Sequence, residues 1–180
     1  MKWKWFLIAT LFIGTTVASA AEISSPYAGQ ETREIKALSR DEINGYLSGD
    51  GMAFAKAAEL NHYPGPKHVL ELADQLQLSE EQRRRSQMIF EDMKSKAVGL
   101  GKQLVEKEEL LDSRFVDAKI STAELVQLVT EISVLHGKIR AVHLQAHVTQ
   151  RAALTADQLM RYDAFRGYQG SGTHGQHDGH

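Results

Sequence analysis

The chain has 180 residues, a formal net charge of −2 and no cysteine, and hydrophobic residues make up 42% of it. This length suits one domain of ordinary size. The nearly balanced charge provides no general basic surface for nucleic acid. Because there is no cysteine, no disulfide is available, and the fold must be stabilised by packing.

The first twenty residues have the pattern of a cleavable signal peptide. Lys2 and Lys4 supply positive charge, residues 5–17 are predominantly apolar, and residues 18–20 are small. An apolar run of this length is shorter than the roughly 20 residues that cross a bilayer, so cleavage is favoured over an uncleaved anchor. We therefore expect export to the periplasm. Loss of the two lysines leaves 19 basic residues against 23 acidic ones, a formal charge of −4.

One local pattern occurs four times along the rest of the chain. An aliphatic residue is followed by Ser or Thr, and Glu or Gln stands three positions after that hydroxyl. This is a capping box, in which the hydroxyl and the Glu or Gln side chain satisfy free amide groups at a helix start. The pattern predicts four main helices that begin at Ser39, Ser79, Ser121 and Thr155.

The first of these helices, over residues 39–61, is predicted to break near residues 48–51, where glycines occur. A Pro-Gly-Pro turn follows, and Pro66 suits the first position of a short helix that reaches about Gln77. The last main helix spans residues 155–166 and is predicted to end at a glycine cap.

The two central helices are the longest. The helix over residues 79–115 has apolar residues at helical spacing, and Gly99 and Gly101 allow curvature or close approach of another helix. Apolar residues in the helix over 121–153 recur on average every 3.5 residues, which is typical of a coiled-coil-like seam. We therefore predict an all-α fold, an elongated antiparallel helical hairpin with shorter flanking helices.

The predicted organisation places this helical domain at residues 38–167. The segment over 21–37 is expected to be extended and poorly ordered. The Gly- and His-rich tail over 168–180 has nothing apolar after its first residue, so it is expected to be disordered.

Two of the capping boxes resemble a known motif. Leu78-Ser79-Glu80-Glu81-Gln82 and Leu154-Thr155-Ala156-Asp157-Gln158 resemble the paired LTxxQ motif of the Spy/CpxP family of periplasmic stress proteins, which is similar to the ZraP and CnrX heavy-metal resistors. The resemblance covers about residues 69–167, with Ser79 where the family has Thr.

The resemblance implies a cradle-shaped homodimer of long helices that binds unfolded clients or senses envelope stress. The motif residues themselves have a simpler interpretation, because the capping chemistry accounts for them. We interpret six of them as structural caps rather than ligands: Leu78, Ser79, Gln82, Leu154, Thr155 and Gln158.

Three histidines in the third main helix are candidate metal ligands. His136, His143 and His147 fall on one flank of the apolar seam, and the last two are four residues apart, a spacing that can chelate one ion. Two ligands do not make a zinc site, so the alternative is a set of hydrogen-bonded boundary residues. The family resemblance adds weight to a metal, because its sensor branch takes imidazole ligands from long helices. Candidates for a third ligand are Glu106, Glu108 and His68.

The tail contains a second group of histidines, His174, His177 and His180. Short histidine-rich tracts bind transition metals such as zinc, nickel or copper. A tail that must first be ordered would bind weakly and without selectivity. A solvated tail with no function is the alternative.

The long second helix also carries a set of cations: Arg83, Arg84, Arg85, Lys94, Lys96 and Arg114. A solvated face is the ordinary explanation. The functional alternative is a surface that attracts acidic clients or the periplasmic domain of a sensor kinase.

No catalytic motif is found in the sequence, neither a nucleophile elbow nor a zinc-protease motif nor a phosphate loop. We therefore expect a protein that binds and does not catalyse. The leading hypothesis is a periplasmic, ATP-independent chaperone or envelope-stress accessory protein that needs no cofactor. The alternative is a periplasmic metal-binding or metal-sensing protein, and a third class is a purely structural envelope protein.

Overall fold

A computed structural model describes residues 25–168, in which the secondary structure is helical and no strand occurs. The all-α prediction is therefore confirmed. No helix in this range is long and apolar enough to cross a bilayer. The predicted signal peptide lies outside the described residues. The helices are α1 (Arg40–Ser48), α2 (Lys56–Glu59), α3 (Pro66–Glu71), α4 (Glu80–Val116), α5 (Thr122–Arg151) and α6 (Ala156–Arg166).

Hydroxyl side chains cap four of these helices where the sequence predicts it. At Ser121 the cap is half-formed: its hydroxyl accepts from the Glu124 amide, while the Glu124 carboxylate accepts from Arg114 at 2.8 Å. The other three are complete capping boxes, at Ser39, Ser79 and Thr155.

The predicted break in the first helix is confirmed. α1 ends at Ser48 and is capped by Gly49, whose φ of 70° is left-handed and suits glycine. Met52 and Ala53 follow with φ of 39° and 63°, so the chain changes direction before α2 begins. α3 is shorter than predicted: residues 72–77 form turns, and Gln77 is left-handed with φ 52°, which turns the chain toward the start of α4.

The segment before α1 is predicted to be extended and poorly ordered, but its described residues, from 25 onward, form turns and bends. Residues 25–31 belong to a separate compact unit, in which Ala28 N donates to Ser25 O and Gln30 N to Tyr27 O, both at 3.0 Å. Residues 32–38, within the larger unit, also form turns and bends. Ile35 is buried there with 2% exposure, because it packs into the main apolar core.

α4 and α5 contact each other along their lengths. The start of α4 meets the end of α5 through Ser86 and Gln150, whose side chains are bonded at 2.9 Å. The end of α4 meets the start of α5 where Arg114 pairs with Glu124 at 2.8 Å. Between these points Lys107 Nζ lies 2.7 Å from Glu131.

The described residues contain two apolar cores. The first joins α1 and the preceding turn to the middle of α4 and α5, and its buried members are Ile35, Leu38, Tyr46, Leu104, Leu135 and Ile139. The second joins α3 and the following turns to α6, and its buried members are Val69, Ala73, Leu76, Leu78 and Tyr162. α1 and α3 contact α4, and α2 and α3 contact α5, so the segment that contains α1 to α3 covers part of the α4–α5 pair.

Candidate functional site

The two motifs that resemble LTxxQ meet in space. Gln82 Nε2 donates to Gln158 Oε1 at 2.8 Å, and Gln158 Nε2 donates to Gln82 Oε1 at 2.9 Å. Each glutamine also closes its own capping box, since its Oε1 accepts from the backbone amide of Ser79 or Thr155. These hydrogen bonds join the start of α4 to the start of α6.

Further contacts tie this pair to its surroundings. Gln82 Nε2 also donates to the Ala153 carbonyl at 3.1 Å, and Gln158 Nε2 to the Leu76 carbonyl at 3.4 Å. Leu78 is buried in the second core, and Leu154 packs against it. The motif residues are thus occupied with one another and with backbone groups, which agrees with a structural role.

The three helical histidines contact the segment that covers α5. His136 meets the Tyr46 ring edge-on, with centroids 5.7 Å apart, and His143 stacks on Phe54 at 5.9 Å. His147 Nδ1 donates to the Tyr63 carbonyl oxygen at 2.7 Å. Phe54 also lies 6.4 Å from His136, so its ring contacts both histidines.

A cavity of about 410 Å³, here called the histidine cavity, lies between α4, α5 and the covering segment. The structure brings His143, His147 and His68 to its wall but leaves His136 at a different surface recess. The other residues that line it are Gly49, Asp50, Gly51, Ala55, Gly65, Pro66, Lys67, Phe90, Met93 and Lys94.

His143 is the least satisfied polar group of this cavity. The residue is 2% exposed, and its buried Nε2 has no hydrogen-bond partner. Burial lowers the pKa of the His143 imidazole, and the nearby His147 lowers it further, while Asp50 opposes the shift. His143 is therefore neutral at pH 7 and presents an unused nitrogen.

A half-buried carboxylate next to the cavity was not identified from the sequence. Glu59 has a side-chain exposure of 12%, and its Oε1 accepts from the hydroxyls of Tyr162 at 2.6 Å and Tyr168 at 3.1 Å. Arg166 Nε lies 3.3 Å from the same oxygen. Burial, and then the bond to Glu59, raise the pKa of the Tyr162 hydroxyl. Nothing in the sequence marks Glu59, a glutamate in a four-residue helix, as the shared partner of two tyrosines and an arginine.

The contacts of Glu59 change the predicted start of the disordered tail. Tyr168 was expected to begin a disordered tail, but its hydroxyl bonds Glu59 and its ring lies 5.9 Å from the Arg166 guanidinium. The remaining tail, including His174, His177 and His180, lies outside the described residues.

Donors for a metal ion are not gathered in the described range. Residues 25–168 contain no group of three or more His, Asp or Glu side chains placed to hold one ion. Of the proposed third ligands, His68 reaches the cavity wall with its Nδ1 on Glu71 at 2.8 Å, and Glu106 is exposed. Glu108 lies toward His136, and burial raises its pKa.

The cations of α4 are mostly paired locally. Arg83 pairs with Asp74, Arg84 with Glu81, Lys96 with Asp92 and Arg114 with Glu124. Exposed pairs of this kind contribute little to stability, but they neutralise the face. Lys94 differs, since its Nζ lies over the Phe90 ring at 5.9 Å.

A groove runs between α4 and α5, along residues 89–103 and 138–149. Two cavities of about 450 and 310 Å³ adjoin there, sharing Lys96, Val142 and Gln145. Half-buried aliphatic side chains line the groove, and exposed polar ones form its edges. Its other lining residues are Ile89, Asp92, Met93, Ser95, Gly99, Leu100, Gln103, Lys138, Ala141, Ala146 and Thr149.

The two glycines in the middle of α4 have different surroundings. A Cβ added at Gly101 would overlap the backbone carbonyl of Tyr46, so Gly101 allows α1 to pack closely on α4. A Cβ at Gly99 would meet nothing within 4 Å, because Gly99 opens onto the groove. The sequence suggested close approach for either glycine, and it occurs at Gly101.

Comparison of the chain with models of protein families, with curated proteins and with solved structures found no match.

Proposed function

We propose that this chain is a periplasmic, ATP-independent holding chaperone or envelope-stress accessory protein of the Spy/CpxP type. In this proposal α4 and α5 form an elongated antiparallel hairpin, and the shorter helices flank it. The protein works as a homodimer and binds unfolded or misfolded envelope proteins, without catalysis. Contact with the periplasmic domain of a sensor kinase is part of the same hypothesis.

The groove between α4 and α5 is the observation that carries this proposal. Ile89, Leu100 and Val142 are half-buried along it, so apolar surface is available without unfolding. Lys96 and Lys138 stand at its edges and are exposed. Such a mixture suits loose, reversible contact with the apolar and charged segments of an unfolded chain.

The outer surface of α5 adds to this support. Four of its valines are between 45% and 61% exposed, although β-branched residues are not favoured on a solvated helix face. Apolar surface of this kind is typical of a protein that contacts others. The residues are Val126, Val129, Val134 and Val148.

Two matched glycines provide a test. Gly99 lies in the groove and Gly137 lies outside it, and neither would meet an atom within 4 Å if a Cβ were added. Gly99→Asp puts a charge into the apolar groove, whereas Gly137→Asp puts the same charge on another surface. We expect Gly99→Asp to lose most of the suppression of aggregation of a denatured client, and Gly137→Asp to keep it. Equal activity of the two variants would exclude the groove as the client-binding site.

Metal binding ranks second. His143, His147 and His68 share one cavity, which favours it. The lack of a three-donor group in residues 25–168 and the two lysines on the cavity wall weigh against it. Titration of the mature protein with zinc, nickel and copper tests this alternative, and deletion of residues 170–180 separates the tail histidines from the helical ones.

A further inference from the structure

Residues 50–63, here called the strap, lie against α5 between two fixed ends. At one end Gly49 packs on α4, where an added Cβ would lie 3.1 Å from the Lys94 carbonyl oxygen. At the other end Pro64 and Pro66 are fully buried. Whether the strap can open between these ends depends on the strength of its other contacts.

The strap has few apolar anchors of its own. Ala55 is its one buried residue, and α2, which lies within it, buries none. Three of its residues other than glycine have left-handed φ angles, Met52 at 39°, Ala53 at 63° and His62 at 63°. Such angles are unfavourable for a residue with a Cβ and persist only where the surroundings enforce them. The closed strap therefore depends on contacts with residues outside it.

Polar side chains of α5 provide two of these contacts. His147 Nδ1 donates to the Tyr63 carbonyl at 2.7 Å, and Arg151 Nε donates to the His62 carbonyl at 3.2 Å. The Arg151 guanidinium also lies 4.9 Å from the centre of the Tyr63 ring. Both contacts hold the end of the strap that follows α2.

Glu59 links the strap to the end of α6. Its Oε1 accepts from the Tyr162 and Tyr168 hydroxyls and lies 3.3 Å from Arg166 Nε. Its Oε2 accepts from the Gly65 amide at 3.3 Å. One half-buried carboxylate thus carries several of the bonds that keep the strap closed.

The strap covers aromatic and apolar groups. Phe54 stacks on the His143 ring at 5.9 Å and lies 6.3 Å from the Tyr46 ring. Met52 and Phe54 pack against the first core. With the strap closed, Tyr46 is 6% exposed and His143 is 2% exposed. Opening of the strap therefore exposes apolar surface that is otherwise hidden.

We propose that the strap is a lid that opens while α4, α5 and α6 stay in place. α6 does not depend on Glu59, because Gln158 bonds Gln82 and Tyr162 is buried in the second core. The surface uncovered beneath Phe54 is a further contact for unfolded clients, a statement that rests on the proposed chaperone function. A client bound there holds the lid open.

Hydrogen exchange followed by mass spectrometry tests the lid on the full mature chain, residues 21–180. After correction for intrinsic rates, strap amides should exchange about tenfold faster or more than amides in the middle of α4 and α5. Low concentrations of urea should speed exchange in these helices more than in the strap, since the lid exposes a small part of the surface that global unfolding exposes. Equal rates with equal urea dependence would overturn the lid, because the strap would then open only in global unfolding.

Two variants weaken the contacts of the strap. Glu59→Gln keeps the shape of the side chain but removes the charge that strengthens its bonds, and Arg151→Gln removes the bond to the His62 carbonyl. Each should speed strap exchange several-fold. The control is Glu71→Gln, which alters an α3 carboxylate that pairs with His68 outside the strap and should leave the strap rate unchanged. An unchanged strap rate in both test variants, or an equal increase in the control, would also overturn the lid.

A client tests the second statement. The probe is reduced, carboxymethylated lactalbumin, a chain that cannot refold. Because client binding favours the open lid, an excess of this probe should speed strap exchange further. Binding of the probe without such an increase overturns the client contact under the lid. Absence of binding contradicts the proposed chaperone function together with this contact, whereas the exchange rates without client decide the lid itself.

Discussion

The side-chain amides of Gln82 and Gln158 bond to each other in both directions, at 2.8 and 2.9 Å, although the residues are 76 positions apart in the chain. Each amide also completes a helix cap, so the pair joins the beginnings of α4 and α6 into one polar unit. Such a unit stabilises only while every group in it is satisfied.

A double-mutant cycle tests this unit. Gln82→Ala or Gln158→Ala alone should lower the free energy of unfolding by about 1–3 kcal/mol, because the remaining amide loses a partner. The double variant should cost less than the sum of the two, with a coupling of about 1 kcal/mol. Urea unfolding followed by circular dichroism measures all four proteins. Additive effects would mean that the two caps act separately.

Gly101 and Gly99 provide a second test, because the first is closely packed against α1 and the second is not. Gly101→Ala should destabilise the fold by about 2 kcal/mol or more, because its methyl group would overlap the Tyr46 backbone and push α1 off α4. Gly99→Ala has open space and should stabilise α4 by up to about 1 kcal/mol. Thermal unfolding compares them, and similar shifts in both variants would contradict the close packing of α1.

These two examples show what the sequence could and could not predict. Capping boxes are local, so the helix starts at Ser79 and Thr155 could be recognised from five residues each. The bond between Gln82 and Gln158 depends on the tertiary arrangement, and nothing in the local pattern distinguishes Gly101 from Gly99. Glu59 is the clearest case, because its partners Tyr162 and Arg166 are more than 100 residues away in the chain.

Acid should destabilise the protein through His143. Burial, and then His147, lower the pKa of this imidazole in the folded state, so below about pH 6.5 the unfolded chain binds a proton more readily. Stability contributed by neutral His143 is present above the unfolded pKa and is lost as pH falls toward the folded pKa. The free energy of unfolding should therefore decrease between pH 7.5 and pH 5.

The control for this pH effect is His143→Gln, which is polar but does not titrate. Its unfolding free energy should fall less over the same pH range than that of the parent protein. An identical decrease in both proteins would assign the pH dependence to groups other than His143.

Export is tested by mass. The charged start, apolar run and small residues of positions 1–20 predict cleavage after Ala20. Intact-mass measurement of protein from a periplasmic fraction should give a chain that begins at Ala21. A mass that includes residues 1–20, or protein recovered with membranes alone, would contradict the assignment to the periplasm.

The central claim, that clients bind in the groove between α4 and α5, is tested most directly by photo-crosslinking. Lys96 is exposed at the groove, and Gln87, also exposed on α4, projects about 180° away around the helix. A photoreactive amino acid at each position is mixed with a denatured model client and irradiated. The account predicts client adducts at position 96 several times more abundant than at position 87. Equal yields at the two positions, or more at position 87, would contradict it.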